Sequence, residues 1–383
     1  MFKPFSYEMP TRVEFGRGSA LRAGEEVRKL GCSRVLVISD EGVRGAGLLD
    51  GVLESLASAS VSHELFLDVE PNPKDYNVHA AADKAVSFRA GCLLAVGGGS
   101  PIDCAKATAI VAAGGGRVRD YEGRFRSSAS PLPLVAIPTT AGTASELTFG
   151  SVITDTQAKF KFTVKNPSIA PKVALADPCM TATMPKSLTA FTGMDALTHA
   201  VEAYTCRVAT PFSDAPALMA MELIGKYLRR AWNDGGDTEA REGMLLGSLL
   251  AGVAFSHSDV ASVHCLAEAL GALYDAPHGA CNAIALPAVM EFSMDSCVNR
   301  YARVASCLGI SFASPEEGAA LAVAEVKRMA ADLRLPSISV FGVKEKDFDE
   351  IAEKSAANSS NPDNPKIMTK QDYAAVLKRL TAL

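Results

Sequence analysis

The chain lacks an excess of either charge. Its 38 Lys and Arg stand against 43 Asp and Glu, a net charge of −5 with His neutral, and no run of five like charges occurs. A nucleic-acid binder normally carries a basic excess or stripe, so nucleic acid is not an expected partner. Cysteine motifs are missing too. The nine cysteines form no Cys-x-x-Cys pair. A thiolate zinc site is therefore a poor reading, and the odd number disfavours a disulfide framework. Buried free thiols in a reducing compartment fit better, so a cytoplasmic location is expected. Long apolar runs are also absent. The N-terminal MFKPFSYEMPTRVEFGRG has no apolar stretch of signal-peptide length. Ser127–Ser145 is uncharged but holds Pro131, Pro133 and Pro138, and the uncharged Gly243–Ser258 has only 16 residues and reads as a buried core helix. No membrane span or membrane partner is expected.

What is present is globular: 48% hydrophobic and 21% charged residues over 383 positions. That length is ample for one core and points to two domains. The first half alternates β-rich runs with helical patterns. Arg34–Ser39, Cys92–Val96 and Leu134–Ile137 read as strands, with helices over Gly24–Leu30 and Asn77–Arg89. Apolar runs without alternation predict strands buried on both faces, hence a parallel sheet of an α/β domain. From about Thr181 onward few β-rich runs remain. Helices are expected over Ser187–Cys206, Ser213–Trp232, Thr238–Phe255, Val260–Leu273, Pro315–Leu333 and Lys370–Leu380. The expected division is an α/β domain over 1–180 and an all-α domain over 181–383.

Val96–Ala107, VGGGSPIDCAKA, follows a predicted strand and opens a helical pattern. Its glycines let a ligand approach the backbone, and a helix N-terminus suits a pyrophosphate. Ser100 is the expected N-cap, with Pro101 at the first helical position and Asp103 in the first turn. Gly98, Gly99, Ser100 and Asp103 are therefore candidate cofactor contacts, although a tight strand-to-helix turn needs no ligand. Asp40 closes the strand RVLVIS. A strand-end acid there accepts both adenosine ribose hydroxyls and repels the extra phosphate of NADP, or simply caps the next turn. In IPTTAGTASELT (137–148), Thr139, Thr140, Thr143 and Ser145 offer hydroxyls to a polar ligand or to their own loop.

His199 follows Asp195 by four in TGMDALTHAVEAY, on one helix face. His264 lies in VASVHCLAEALGALY and His278 just beyond it. A carboxylate and imidazoles in such apolar surroundings need partners. Three His and one Asp suit a divalent first-row cation, Fe²⁺ or Zn²⁺, acting as a Lewis acid. Metal hydrolases use similar sets, so the ligands alone leave the chemistry open.

Together the segments FGRGS (15–19), EPNP (70–73), VGGGSPIDCAKA, IPTTAGTASELT, TGMDALTHAVEAY and LGALYDAPHGACNAIALP (270–287) resemble the iron-containing (group III) alcohol dehydrogenases. The resemblance runs in order over most of the chain. It implies a dehydroquinate-synthase-like architecture: an N-terminal Rossmann-like domain for NAD(H), an all-α domain for the metal, and an active site between them. The family's metal ligands fall on Asp195, His199, His264 and His278. Its cofactor contacts fall on Asp40, Asn72, Gly99, Ser100, Thr139, Thr140, Thr143 and Lys161. Phe255 matches an aromatic position near the substrate, and Phe149 is a further candidate there. A homodimer or higher homo-oligomer is expected.

Three departures stand out. Glu268 occupies a position where many members carry a second histidine, four residues past the third ligand. Ser256-His257-Ser258-Asp259-Val260-Ala261 replaces a Ser-Asn-x-x-Leu-Gly pattern, and Asn364-Pro365-Lys366 replaces Asn-Pro-Arg. Glu268 and His257 are thus candidates for the proton route, and Glu268 for the substrate pocket. The expected activity is a metal-dependent, NAD(H)-dependent alcohol dehydrogenase or aldehyde reductase with a short-chain alcohol or aldehyde, including a small polar aldehyde, as substrate. A dehydroquinate-synthase-like lyase needs a basic cluster for its phosphorylated, carboxylated substrate, and few basic residues flank the metal motifs. A metal hydrolase without nucleotide is the other alternative.

Overall fold

Buried β-rich runs and capped helices resolve into two compact units in the computed structural model, which describes residues 4–124 and 129–381. Ser127 and Ser128 of the uncharged stretch lie outside those residues, as do Met1–Lys3 of the N-terminal segment. One unit comprises Met9–Thr140 and Ala144–Met184. The other comprises Pro185–Leu383 together with Met1–Glu8 and Ala141–Thr143. The short turn Pro178–Thr181 goes with the first unit, with Met180 in its core.

The first unit holds β1 (Arg12–Phe15), β2 (Arg34–Ile38), β3 (Ser62–Phe66), β4 (Cys92–Gly97), β5 (Gly123–Arg124), β6 (Leu134–Pro138), β7 (Gly150–Asp155), β8 (Phe160–Lys165) and β9 (Val173–Ala176). Its helices are α1 (Ala23–Lys29), α2 (Glu41–Gly45), α3 (Asp50–Ser58), α4 (Asp75–Phe88) and α5 (Gly99–Gly114). Six strands form a parallel sheet in the order β1-β9-β6-β4-β2-β3. Both faces are covered, as the unbroken apolar runs require. Leu36, Ile38, Leu93, Ala95 and Leu134 pack with Val78 of α4 and Ile102 of α5 on one side. Val35, Val37, Leu94, Val96 and Ile137 pack with Val27 of α1 and Leu56 of α3 on the other. A second sheet, β5-β8-β7, includes the antiparallel β7–β8 hairpin.

The topology positions a site. From β2 the chain moves outward to β3, then returns to place β4 on the other side of β2. That reversal is a switch point, where crevices open beyond the strands' carboxyl ends. Asp40 follows β2 and the glycine loop follows β4, both at this point. Ser39 Oγ ties the two ends by donating to Val96 O at 2.6 Å.

The second unit contains α6 (Lys186–Thr205), α7 (Pro211–Asn233), α8 (Thr238–Ser256), α9 (Ser262–Tyr274), α10 (His278–Ser293), α11 (Val298–Cys307), α12 (Pro315–Asp332), α13 (Phe348–Ala356) and α14 (Lys370–Thr381). Among its described residues there is no strand. Local chemistry sets the starts: Thr210 caps α7 with Pro211 first inside, Asp237 caps α8, and Ser314 caps α12. Gly243–Ser258 lies almost wholly in α8, as a core helix. Among the described residues no helix is long and apolar enough to cross a membrane.

Candidate metal and cofactor sites

Helix α6 places Asp195 and His199 one turn apart, and Phe255 near the end of α8 stacks on His199 with ring centroids 4.4 Å apart. His264 stands in the first turn of α9 and His278 opens α10. One ligand atom from each of Asp195, His199, His264 and His278 lies within 4.8 Å of the others. All but the half-exposed His278 are buried.

The donors fit a divalent cation. Asp195 Oδ2 and His199 Nδ1 are buried without a hydrogen-bond partner, an arrangement that costs free energy unless a cation satisfies it. Burial alone pushes the Asp195 carboxyl up, but His199, His278, His264 and the Asn282 amide together hold it below the ordinary carboxylate value. Burial, with His199 adding to it, pushes His264 well below the ordinary imidazole value, so its ring is neutral. Neutral imidazole and ionised carboxylate are the ligand forms.

Two further side chains complete the cluster, and the sequence reading passed over both. Asn282 is one turn beyond His278 on α10. Its Nδ2 donates to Asp195 Oδ1 at 2.7 Å and lies 3.1 Å from both His264 Nε2 and His278 Nε2. Glu202 is on the Asp195–His199 face of α6. It accepts from His264 Nδ1 at 2.5 Å, Val263 N at 2.7 Å and Ala261 N at 2.9 Å. Burial pushes its carboxyl up to about 7 against the pull of these donors. The spacing i+7 from Asp195 was the available signal for Glu202, and i+4 from His278 for Asn282.

The other proton-route candidates are placed differently. Glu268 is half-buried, one turn past His264 on α9, and Asn358 Nδ2 donates to its Oε2 at 2.6 Å. His257 ends α8. Its ring stacks on Tyr7 with centroids 3.9 Å apart, Nδ1 lies 2.7 Å from Val253 O, and Nε2 lies 2.7 Å from Glu8 O. Nε2 also lies 3.3 Å from Glu8 N, and these contacts tie His257 to the N-terminal segment.

At the switch point, α5 begins at Gly99 with Gly98 as its cap, two residues before the expected start at Pro101. Ser100 is thus inside the first turn and is not the N-cap. No side chain caps this end, which leaves the Gly99 and Ser100 N–H groups pointing off the helix. Gly97 is required here: a Cβ would come within 2.5 Å of the Pro101 ring. Asp40 caps α2, with its Oδ1 accepting from Val43 N at 2.9 Å. Lys161 Nζ on β8 donates to Asn72 Oδ1 at 2.7 Å, bringing two candidates together. Thr139 N bonds Gly97 O at 3.0 Å, joining the threonine loop to the glycine loop. Thr140 packs toward Gly98. Thr143 goes with the helical unit. There Gly142 lies so close to Thr192 of α6 that a Cβ would approach it to 2.7 Å.

Asp103 and Ser145 are engaged by the protein itself. Ser145 Oγ donates to Asp103 Oδ1, and Val152 N donates to Asp103 Oδ2 at 2.9 Å. The buried Lys106 joins them, donating to Ser145 Oγ at 2.8 Å, Thr148 Oγ1 at 2.8 Å and Gly150 O at 2.7 Å. This pair braces the loop that follows β6. Phe149 continues that loop in the α/β unit, where Lys165 Nζ lies 5.9 Å from its ring centroid; it does not share the helical unit with Phe255.

Comparison with known proteins decides the family. Residues 10–178 match the profile "Iron-containing alcohol dehydrogenase", and residues 189–381 match "Fe-containing alcohol dehydrogenase family, C-terminal". The chain belongs to the iron-containing alcohol dehydrogenase family. It is 39% identical over 386 residues to the 1,3-propanediol dehydrogenase of Klebsiella pneumoniae, covering 99% of each chain. It is 36% identical over 376 residues to the NAD-dependent methanol dehydrogenase of Bacillus methanolicus, covering 97% of this chain and 99% of that one. A solved 1,3-propanediol oxidoreductase superposes with a TM-score of 0.96 at 38% identity, covering 99% of this chain and 100% of that one. As an iron-containing alcohol dehydrogenase the chain is an oxidoreductase, and the lyase and hydrolase alternatives fall away.

Proposed function

We propose that this chain interconverts a short-chain alcohol and its aldehyde with NAD(H), using a divalent cation held by Asp195, His199, His264 and His278. Fe²⁺ is the first choice and Zn²⁺ the next, both suited to imidazole and carboxylate. The single observation that carries the reading is the four-residue cluster, buried except for His278, in which Asp195 Oδ2 and His199 Nδ1 have no hydrogen-bond partner. A bound cation supplies Lewis acidity toward an alcohol or carbonyl oxygen. A bound nicotinamide supplies the hydride acceptor or donor.

The chain's own residues do the rest. The Gly99 and Ser100 N–H groups bind the pyrophosphate at the start of α5. Lys161 and Asn72 add polar contacts to the cofactor, as do Thr139, Thr140 and Thr143. Asp40 accepts the ribose hydroxyls and disfavours a 2′-phosphate. Phe255, stacked on His199, keeps water off that ring. Glu268, one turn past His264 and held by Asn358 Nδ2, takes the proton released by the alcohol. We further propose a homo-oligomer, and a reducing, cytoplasmic setting that suits nine cysteines outside any disulfide.

The test is a panel of short aldehydes with NADH and NADPH, using protein reconstituted separately with Fe²⁺, Zn²⁺, Mn²⁺ and Co²⁺. NADH oxidation dependent on one of these cations, with a short aldehyde preferred, is the expected result. Protein that binds a cation and NADH yet turns over no aldehyde or alcohol is not this enzyme.

A further inference from the structure

Ala261, the residue that caps α9, has no side chain able to cap a helix, and its backbone is extended there. The cap comes instead from α6. Glu202 is 3% exposed, and its two oxygens are spent on three donors. Oε1 accepts from Val263 N at 2.7 Å; Oε2 accepts from Ala261 N at 2.9 Å and faces His264 Nδ1 at 2.5 Å. A carboxylate at a helix N-terminus satisfies orphan N–H groups and complements the helix dipole. Here the same carboxylate also meets the ring of a metal ligand in that helix's first turn.

The opposite ring nitrogen has its own partner. Asn282 Nδ2 lies 3.1 Å from His264 Nε2 and donates to Asp195 Oδ1 at 2.7 Å. The carboxylate of Asp195 fixes which end of the Asn282 amide points inward, since an amide oxygen there would face another oxygen. Nδ2 lies equally 3.1 Å from His278 Nε2, and with one N–H given to Asp195 the other serves only one of the two rings. An amide nitrogen cannot accept, so a proton on His264 Nε2 would point at a donor, and the Glu202 oxygen 2.5 Å from Nδ1 calls for the proton there. Both contacts favour one tautomer: Nδ1–H toward Glu202, Nε2 lone pair toward the centre of the cluster.

We infer that Glu202 is a positioning residue: it presets His264, before any cation arrives, in the tautomer and ring orientation that bind one. Asp195 and His199 share α6 with Glu202, so α6 carries two ligands and the clamp on the third. The inference rests on the proposed cation site. A metal-ligating imidazole that donates its other N–H to a carboxylate is more basic and better oriented, and losing such a partner typically weakens metal affinity about 10- to 100-fold.

The experiment compares metal-free wild type with Glu202→Gln. Zn²⁺ affinity is read by competition with a chromophoric chelator, Co²⁺ geometry by its visible d–d bands, and fold by thermal unfolding of the metal-free proteins. The expected result is Zn²⁺ affinity reduced about 10- to 100-fold and altered Co²⁺ bands in the variant. A carboxylate that only caps α9 lowers the metal-free melting temperature and leaves affinity and bands as in wild type; that result overturns the inference. Should Glu202→Gln fail to fold, the wild-type protein decides. Long-range ¹H–¹⁵N correlation on metal-free, ¹⁵N-histidine-labelled protein is expected to show His264 as the Nδ1–H tautomer, and finding Nε2–H overturns the inference. Wild type that takes up no Zn²⁺ or Co²⁺ sinks the proposed cation site, and the inference with it; wild type that binds while the variant binds equally well sinks the inference alone.

Discussion

At the scale of single residues, the four candidate ligands were legible because their environment was anomalous. Asp195 and His199 sit one helical turn apart in an apolar stretch, and a buried acid and imidazole need partners. Glu202 and Asn282 were not, because a carboxylate or amide at helical spacing usually faces solvent, and only the packed helices turn these two inward. Asp40 carries a prediction. Its side chain caps α2 through Val43 N, and glycine caps a helix almost as well as aspartate. Asp40→Gly therefore removes a charge at little structural cost. The NADH over NADPH preference, as a ratio of kcat/KM values, is expected to narrow by roughly tenfold or more, the scale of a like-charge repulsion near a protein surface. An unchanged ratio places Asp40 away from the ribose. Glu268 carries another. Glu268→Gln keeps an oxygen for Asn358 Nδ2 but loses the charge. Bound metal should stay at the wild-type level, while kcat for alcohol oxidation falls about tenfold or more and its pH profile moves. Wild-type kinetics would reduce Glu268 to a brace for Asn358.

At the scale of elements, a polar face did not decide which helices were legible: α6 and α8, buried over most of their surface, were read, while the amphipathic α11 and α13 were not. Helix α10 has apolar residues all round, with Pro287 inside it, so no stripe marks it; α11 and α13 are short. The β7–β8 hairpin escaped because it lies outside the main sheet and, half-buried, has none of the unbroken apolar runs that mark the strands of that sheet. The brace around Lys106 escaped because a helix lysine ordinarily reaches solvent, whereas this one is fully buried. Burial pulls its ammonium down, against Asp103 and Glu146. In the turn it supports, Glu146 is 2% exposed, its Oε1 has no partner, and burial pushes its carboxyl up to about 7 from 4.5. Between those values the folded chain holds a proton that the unfolded chain has released. The resulting stability is complete below the unfolded value and is lost as pH rises through 7. Glu146→Gln does not titrate. Its stability relative to wild type is expected to rise by about 1 kcal/mol between pH 6 and pH 8.5, read from chemical denaturation at each pH. A constant difference would mean that Glu146 is ionised throughout and held by Lys106.

At the scale of the molecule, the sequence pattern gave away the change from an α/β half to a helical half. It could not show that the chain passes into the helical unit for Ala141–Thr143 alone, because three small residues carry no periodicity. Of the proposed site residues, Asp40, Asn72, Gly98–Ser100, Thr139, Thr140 and Lys161 lie in one unit, and Thr143, the four proposed ligands and Phe255 in the other. A ligand that binds only the folded state stabilises it by about 2.7 kcal/mol at a hundredfold excess over its Kd, and the protection appears in the segments whose opening releases the ligand. Zn²⁺ alone should therefore slow amide exchange in α6, α9 and α10, leaving β4 and the first turns of α5 unchanged. NADH alone should slow exchange at β4, at the start of α5 and at the β2–α2 turn. Hydrogen exchange read by mass spectrometry on the metal-free protein, with each ligand added separately, measures both. If NADH protects only α6 to α10, the nucleotide does not bind at the glycine loop, and the switch-point argument for the cofactor site fails while the cation site stands.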